Sequence, residues 1–300
     1  MLKPQKLKIF PTTLANGSKL RKLLEKNIKL QVGVERKEVA LLLSAGIDST
    51  VVGIAAHKLG HKVHAYTFQL GEEQSFDSKW AENTAKHFGW EWTLIKVPRD
   101  LKRLQSDFHK MRTELDCVKK RDYECTWPMM YVYPKIKEVH VLSGLVFDAY
   151  FILSRNAILS GDAGPKSTKD RFDAKRESYW RPLIDKGLKS LSKEYNPSCM
   201  HQHVLLQRKY GLIDCNPTVK SNVFRFFMQF SWQELNMPRQ KHFMAGTYPE
   251  ELSAVGHRNH VNYQLAANVD HFFEELLGTS LNVERRKRVM DMCRDWENAK

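Results

Sequence analysis

The chain has 300 residues, enough for one large domain or two modest ones. With 42% hydrophobic and 27% charged residues it has the composition of a folded globular protein, and no run of about 18 apolar residues provides a transmembrane helix. A net charge of +14 favours anionic partners such as nucleotides, nucleic acid or phosphorylated substrates, although a solvated basic surface fits the same number.

In chain order, residues 1–37 read as a basic N-terminal arm with a short helix in "SKLRKLLEKNIKL", and the start has no apolar signal-peptide core. "EVALLLS" is an apolar run of strand length, and "DSTVVGIAAHKL" follows with a helical period. "HKVHAYTFQL" is a second strand. "SFDSKWAENTAKHFG" is a second helix with Gly89 at its C′ position, and "EWTLIKVP" is a third strand ended by Pro98. Helical stretches are expected over Leu101–Thr113 and Met129–Lys137, then a strand in "EVHVLSG" and a helix in "FDAYFILSRNAIL". This alternation predicts an α/β fold, a doubly wound parallel sheet with helices on both faces. "SGDAGPKSTKDRFDAKRESYW" is polar and reads as a surface loop that covers a site. From about Leu183 the pattern is mostly helical. The expected organisation is therefore an arm (1–37), an α/β nucleotide-binding part (38–160), and a lid loop with a helical C-terminal part (161–300).

The chemistry concentrates where the first strand gives way to the first helix of the sheet, at Ser44-Ala45-Gly46-Ile47-Asp48-Ser49-Thr50. Ligands of open parallel sheets bind at the carboxyl ends of strands. The first turn of a helix offers unpaired N–H groups and the positive end of the helix dipole, which together make a phosphate cradle. Gly46 allows close backbone approach or a positive φ, and Ser44, Ser49 and Thr50 add hydroxyls. Asp48 is out of place beside phosphate unless it holds Mg²⁺, which binds through one or two carboxylates plus substrate phosphates. A Ser-rich cap on an ordinary helix is the plainer reading of the same residues.

The nucleotide loop GxxxxGK(S/T) is absent. Ser-x-Gly-x-Asp-Ser-Thr instead resembles the SGGxDS loop of the PP-loop ATP pyrophosphatases, with Ala45 in place of the first Gly. The stretch from Phe68 through Gly71, Asp77, Ala81, Ala85 and Phe88-Gly89 resembles the synthetase domain of asparagine synthetase. "HVLSGLVFDAYF" is similar to that family's LSGEGxDExxxGY, with Ser143, Gly144 and Asp148 in register. The resemblance implies ATP and Mg²⁺ as cofactors, and cleavage of ATP to AMP and pyrophosphate. It implies that Asp48 and Asp148 share the metal and that Ser44–Thr50 hold the pyrophosphate. Leu42 and Leu70 would flank the adenine, with Ser143 and Gly144 nearby. A looser match over "PTVKSNVFRFFMQFSWQELNMPRQKHFMA" makes Lys241 the residue that stabilises charge on the reacting phosphates.

The family signature carries two glutamates where this chain has Leu145 and Ala149. Residue 2 is Leu rather than a nucleophilic Cys, and residues 1–37 are too few for a glutaminase domain, so a stand-alone form is expected. The resulting expectation is an amide-forming ligase of the asparagine synthetase type. Its partners are a small-molecule carboxylate and ammonia or an amine, the ammonia supplied free or by a partner protein. Two alternatives stay open. One is a PP-loop enzyme that adenylates a nucleobase of tRNA or DNA; the other is a non-catalytic nucleotide-binding homologue. Five cysteines without a paired pattern fit reduced thiols and a cytoplasmic protein that binds no membrane. Cys199, His201 and His203 do not match a zinc spacing. The basic "VERRKRVMDMCR" reads as a solvated helix face or a nucleic-acid contact.

Overall fold

The computed structural model describes residues 11–44, 46–151, 165–238, 240–256, 267–279, 284, 287–289 and 291. Among them lie helices α1 (Pro11–Val32), α2 (Ile47–Lys58), α3 (Phe76–Phe88), α4 (Leu101–Glu114), α5 (Lys120–Thr126), α6 (Met129–Val132) and α7 (Asp148–Phe151). They continue with α8 (Pro165–Lys186), α9 (Met200–Lys209), α10 (Ser221–Phe227), α11 (Trp232–Asn236), α12 (Pro249–Val255) and α13 (Val269–Leu277). Five strands, β1 (Glu38–Leu42), β2 (Lys62–Leu70), β3 (Glu91–Val97), β4 (His140–Leu142) and β5 (Ile213–Asp214), form one sheet.

The strand order is β3-β2-β1-β4-β5 and every pairing is parallel. The chain runs outward from β1 to β3, then returns to the other side of β1 to start β4. Between β1 and β4 the connections diverge, and that opens a crevice at the carboxyl ends of these two strands. The alternating side chains of β1 and β2 feed two cores. Val39, Leu41 and Leu43 join α1, α2 and the aromatic cluster around Phe227. Ala40, Tyr66 and Ile95 join α4, α5, α6 and α13 on the opposite face. Both faces are thus covered, as a parallel sheet requires.

Local signals explain the element ends. The Ser75 side chain accepts from Ser78 N, and Gly89 closes α3 at φ 66. Asp100 accepts from Lys102 N and Arg103 N at the start of α4, a cap of about 1 kcal/mol.

Two sequence expectations are corrected. The N-terminal segment is not an appended arm with a short helix. Pro11–Val32 is one helix of 22 residues, and Leu20, Leu24 and Ile28 on its inner face are fully buried. Much of the polar stretch read as a lid loop is α8, which buries Arg176, Trp180 and Leu183; residues 160–164 lie outside the described residues. The C-terminal part is mostly helical, as expected, and also supplies β5, which pairs with β4 and widens the sheet. The helix expected through "FDAYFILSRNAIL" is described only to Phe151, and most of "VERRKRVMDMCR" lies outside the described residues.

Candidate active site at the sheet switch point

A cavity of about 410 Å³ opens at the carboxyl ends of β1, β2 and β4. It is lined by Leu42, Ser44, Gly46, Ile47, Asp48 and Ser49 from the first loop, by Ser143, Gly144 and Asp148 from the second, and by Lys241. These expected residues therefore meet in one place, although they come from three distant segments.

The first loop spends its hydroxyls on its own shape. Ser49 Oγ lies 3.2 Å from Ser44 Oγ and donates to Gly46 O at 3.2 Å, and Thr50 Oγ1 donates to Gly46 O at 3.0 Å. Thr50 is buried and does not line the cavity. Gly46 caps α2 at φ −79, an extended conformation, so no left-handed residue is needed there. What remains for an anion is the rest of the N–H groups in the first turn of α2, since Gly46 N already donates to Ser44 Oγ and Thr50 N to Gly46 O. Ala45 lies outside the described residues.

The second loop docks on the first without a gap. A Cβ on Gly144 would sit 2.6 Å from Ser49 N and 2.7 Å from Asp48 C, so only glycine fits. Two residues on, Val146 takes φ 72. That left-handed conformation is rare for a β-branched residue, and LSGEGxDE has its second Gly at this register. The loop is gripped from the far strand. Asn216 Nδ2 donates to Leu145 O at 2.7 Å, and Tyr150 OH donates to Thr218 O at 2.9 Å. Strain held in this way clusters at functional sites.

Lys241 sits between the two acids, its ammonium bonded to both Asp48 Oδ2 and Asp148 Oδ1. Its backbone is left-handed at φ 57. Asn236 holds it there, accepting from Lys241 N at 3.2 Å while donating to Phe151 O at 3.1 Å, at the end of the helix that Asp148 begins. Burial pushes the Asp48 carboxyl up to about 7, Lys241 opposes this and Asp148 reinforces it. Burial works against the Lys241 ammonium as well, but Asp148 and Asp48 outweigh it and raise its pKa. The trio is an ammonium held charged between two carboxylates, one of which readily takes a proton.

The donor set fits Mg²⁺. Asp48 Oδ1 is buried without a hydrogen bond and lies beside a second carboxylate. Among the described residues no group of three or more His, Cys, Asp or Glu forms a metal cage. Mg²⁺ needs no such cage when phosphates complete its shell.

Leu70 is corrected. It does not line this cavity but a separate depression with Glu72, Lys96 and Arg99. Leu42 at the end of β1 pairs with Tyr66, whereas β2 continues to Leu70 alongside β3, which carries Leu70 past the crevice. Phe68 lines the cavity instead. Sequence reasoning also missed Arg121, Cys125, Ser198, His203 and Gln240, which no motif marks. The Cys199, His201 and His203 side chains go to different partners: Arg121 O, Asp116 and Tyr133.

Residues 19–146 match the asparagine synthase family. The matched span is under half of the chain. Among curated proteins, 7-cyano-7-deazaguanine synthase of Thermoplasma acidophilum is 38% identical over 64 residues, which is 21% of this chain and 27% of that enzyme. The chain thus matches about a quarter of that relative's length. Among solved structures, the tRNA thiolase NcsA of Methanococcus maripaludis aligns over 93% of this chain and 79% of its own, at 13% identity and a TM-score of 0.35. A predicted subunit of a tRNA methyltransferase from Methanocaldococcus jannaschii aligns over 61% and 92%, at 18% identity and a TM-score of 0.26. Among the described residues no helix is long and apolar enough to cross a membrane.

Proposed function

We propose that this protein adenylates a nucleobase-type acceptor with Mg·ATP, releasing pyrophosphate, and that ammonia or an amine then displaces AMP. The observation that carries this reading is the convergence of Asp48, Asp148 and Lys241 on the first turn of α2 in one cavity. An acceptor oxygen attacks the α-phosphorus, the bond to the β-phosphate oxygen breaks, and pyrophosphate leaves. In the second step the amine nitrogen bonds to the acceptor carbon, and AMP departs with the original oxygen.

The roles follow from charge. N–H groups at the start of α2 face the β- and γ-phosphates, with Ser44 and Ser49 fixing the loop and Gly46 keeping it open. Asp48 and Asp148 would hold Mg²⁺, which neutralises phosphate charge when bound. Lys241 is poised to exchange its two carboxylates for the α-phosphate oxygens, where negative charge grows during transfer. Leu42 and Phe68 supply apolar surface for a flat ring.

Three features support a nucleobase-type acceptor. The chain is similar over 64 residues to an enzyme whose named product is a cyano-substituted deazaguanine. Leu145 and Ala149 replace the two signature glutamates, and the net charge is +14. The asparagine synthase family match favours a second reading, a carboxylate-activating amide ligase.

Both readings are tested by pyrophosphate exchange into ATP, with tRNA, DNA or a panel of carboxylic acids as acceptors. Exchange is expected to require Mg²⁺ and to fall at least about a hundredfold in Asp48→Asn. Undiminished exchange in that variant would falsify the phosphate-site assignment, and exchange driven by a carboxylic acid alone would select the ligase.

A further inference from the structure

The same cavity has a second polar wall that ATP chemistry leaves unused. Arg121 comes from α5, Ser198 from the turn Pro197–Cys199, and His203 from α9. Short contacts knit these elements together. Cys199 Sγ donates to Arg121 O at 3.5 Å, Ser198 Oγ lies 3.1 Å from Tyr179 OH, and His203 follows Cys199 by one helical turn. Ser198 and Cys199 are consecutive left-handed residues, φ 48 and 60, and neither is glycine. Two such conformations in a row at a cavity wall are costly enough to point to a purpose.

Arg121 and His203 each present a donor, and the Ser198 hydroxyl, shared with Tyr179 OH, lies beside them on the cavity wall. The Arg121 side chain is exposed, gives one N–H to Asn196 O at 3.0 Å, and pairs with no carboxylate among the described residues. Its neighbour Asp122 is occupied elsewhere, accepting from Lys119 N at 3.0 Å and from Asn196 Nδ2 at 3.3 Å. His203 is 6% exposed, and its Nδ1 lies 2.7 Å from Tyr133 OH. Gln207 Nε2 donates to Asp214 Oδ1 at 3.3 Å and to Tyr133 OH at 3.4 Å. The phenol proton therefore goes to His203 Nδ1, and the proton of the neutral ring is on Nε2. No described protein group bonds Nε2, and the ring lines the cavity. Burial holds the imidazole at about 4, so it stays neutral and keeps donating at physiological pH.

We propose that Arg121, Ser198 and His203 form an oxyanion subsite for the acceptor, taking a carboxylate or phosphate group carried by the molecule that receives AMP. This rests on the adenylation reading of the cavity. A cationic fork, a fixed neutral N–H and a hydroxyl suit a group rich in acceptors and poor in donors. Seated there, the anion anchors one end of the acceptor and leaves its reactive oxygen to approach the phosphate loop.

The test follows the His203 ring nitrogens and the Arg121 Nε–H by NMR during separate titrations of the full chain with sodium acetate, inorganic phosphate and neutral acetamide. One of the anions is expected to shift both signals saturably while acetamide does not. Acetate as the responder identifies a carboxylate-bearing acceptor, and phosphate a phosphate-bearing one. Arg121→Gln should weaken that binding about tenfold or more. Arg121→Lys, which keeps charge and bulk, serves the same comparison if the glutamine variant does not fold, with a smaller loss expected. The subsite is overturned if neither anion shifts the two signals, if acetamide shifts them equally, or if binding is unchanged in the Arg121 variants. Pyrophosphate exchange is measured on the same samples. Loss of exchange with an intact anion response overturns the adenylation reading and not the subsite.

Discussion

Lys241 is the residue on which both halves of the candidate site close. Its side chain is 5% exposed and its charge is balanced by Asp48 and Asp148. Replacing it with Met leaves two carboxylates facing each other in a crevice with no cation. Denaturant unfolding without Mg²⁺ should show a loss of about 3 kcal/mol in Lys241→Met, partly recovered when Mg²⁺ is added. Wild-type stability in that variant would mean that the two acids do not depend on the ammonium. At this scale the sequence was informative for the residues that follow β1 and β4, but not for Leu70 at the end of β2. Asp48 and Asp148 follow β1 and β4, and the parallel pairing of those strands brings them together. Arg121 and His203 were invisible for the opposite reason. They reach the cavity from a segment between β3 and β4 and from a helix about 80 residues later, with no shared spacing. The strain at Val146 was equally hidden, since an apolar residue in an apolar loop gives no sign of its φ.

Among the elements, α1 bears most directly on the site. Gly17 packs on Gly246 so closely that a Cβ on Gly17 would lie 2.1 Å from Gly246 C. The turn His242–Gly246 follows Lys241 directly, so this helix backs the turn that positions the lysine. Gly17→Ala should push the turn away and lower both thermal stability and ATP affinity, whereas Leu14→Ala on the exposed side should change neither. A Gly17→Ala protein that binds ATP normally would separate the helix from the site. The extent of α1 was underread because its first residues are small and polar. The helix α8 was missed because a buried arginine occupies a core position. Arg176 is 1% exposed and donates to Phe227 O at 2.7 Å, and Trp180 one turn on stacks on Tyr150 at 4.1 Å. A hydrophobic period with a charged residue in its stripe does not read as a helix. The strand β5 has two residues, too few to alternate.

For the whole molecule, titration of buried groups sets the response of stability to pH. His203 is held at about 4, against the ordinary histidine value of 6.5 that applies to an unfolded chain. Between these values the unfolded state binds the proton and the folded state does not. Stability from this group is therefore full above about pH 6.5 and is lost as the pH falls towards 4. Asp48, pushed up to about 7, works in the other direction, because its folded form binds a proton that the unfolded chain releases. Comparing wild type with His203→Gln cancels the Asp48 contribution. Between about pH 7.5 and about pH 5 the wild type should lose about 2 kcal/mol relative to the variant. Parallel pH profiles for the two proteins would show that His203 is not the buried neutral group described. The fold at this scale was largely legible, since strand–helix alternation specifies a parallel sheet and its switch point. The two cores were not, because which face a buried strand residue supplies depends on what packs there.

The contact between Gly17 and Gly246 also has a consequence for synthesis on the ribosome. Helix α1 must wait for more than two hundred further residues before its partner turn exists. Until then Leu20, Leu24 and Ile28 lack part of their covering, and a nascent chain cut short before Lys241 has neither the lysine nor the seat for its helix. Such fragments would expose an apolar helix face that the full chain covers.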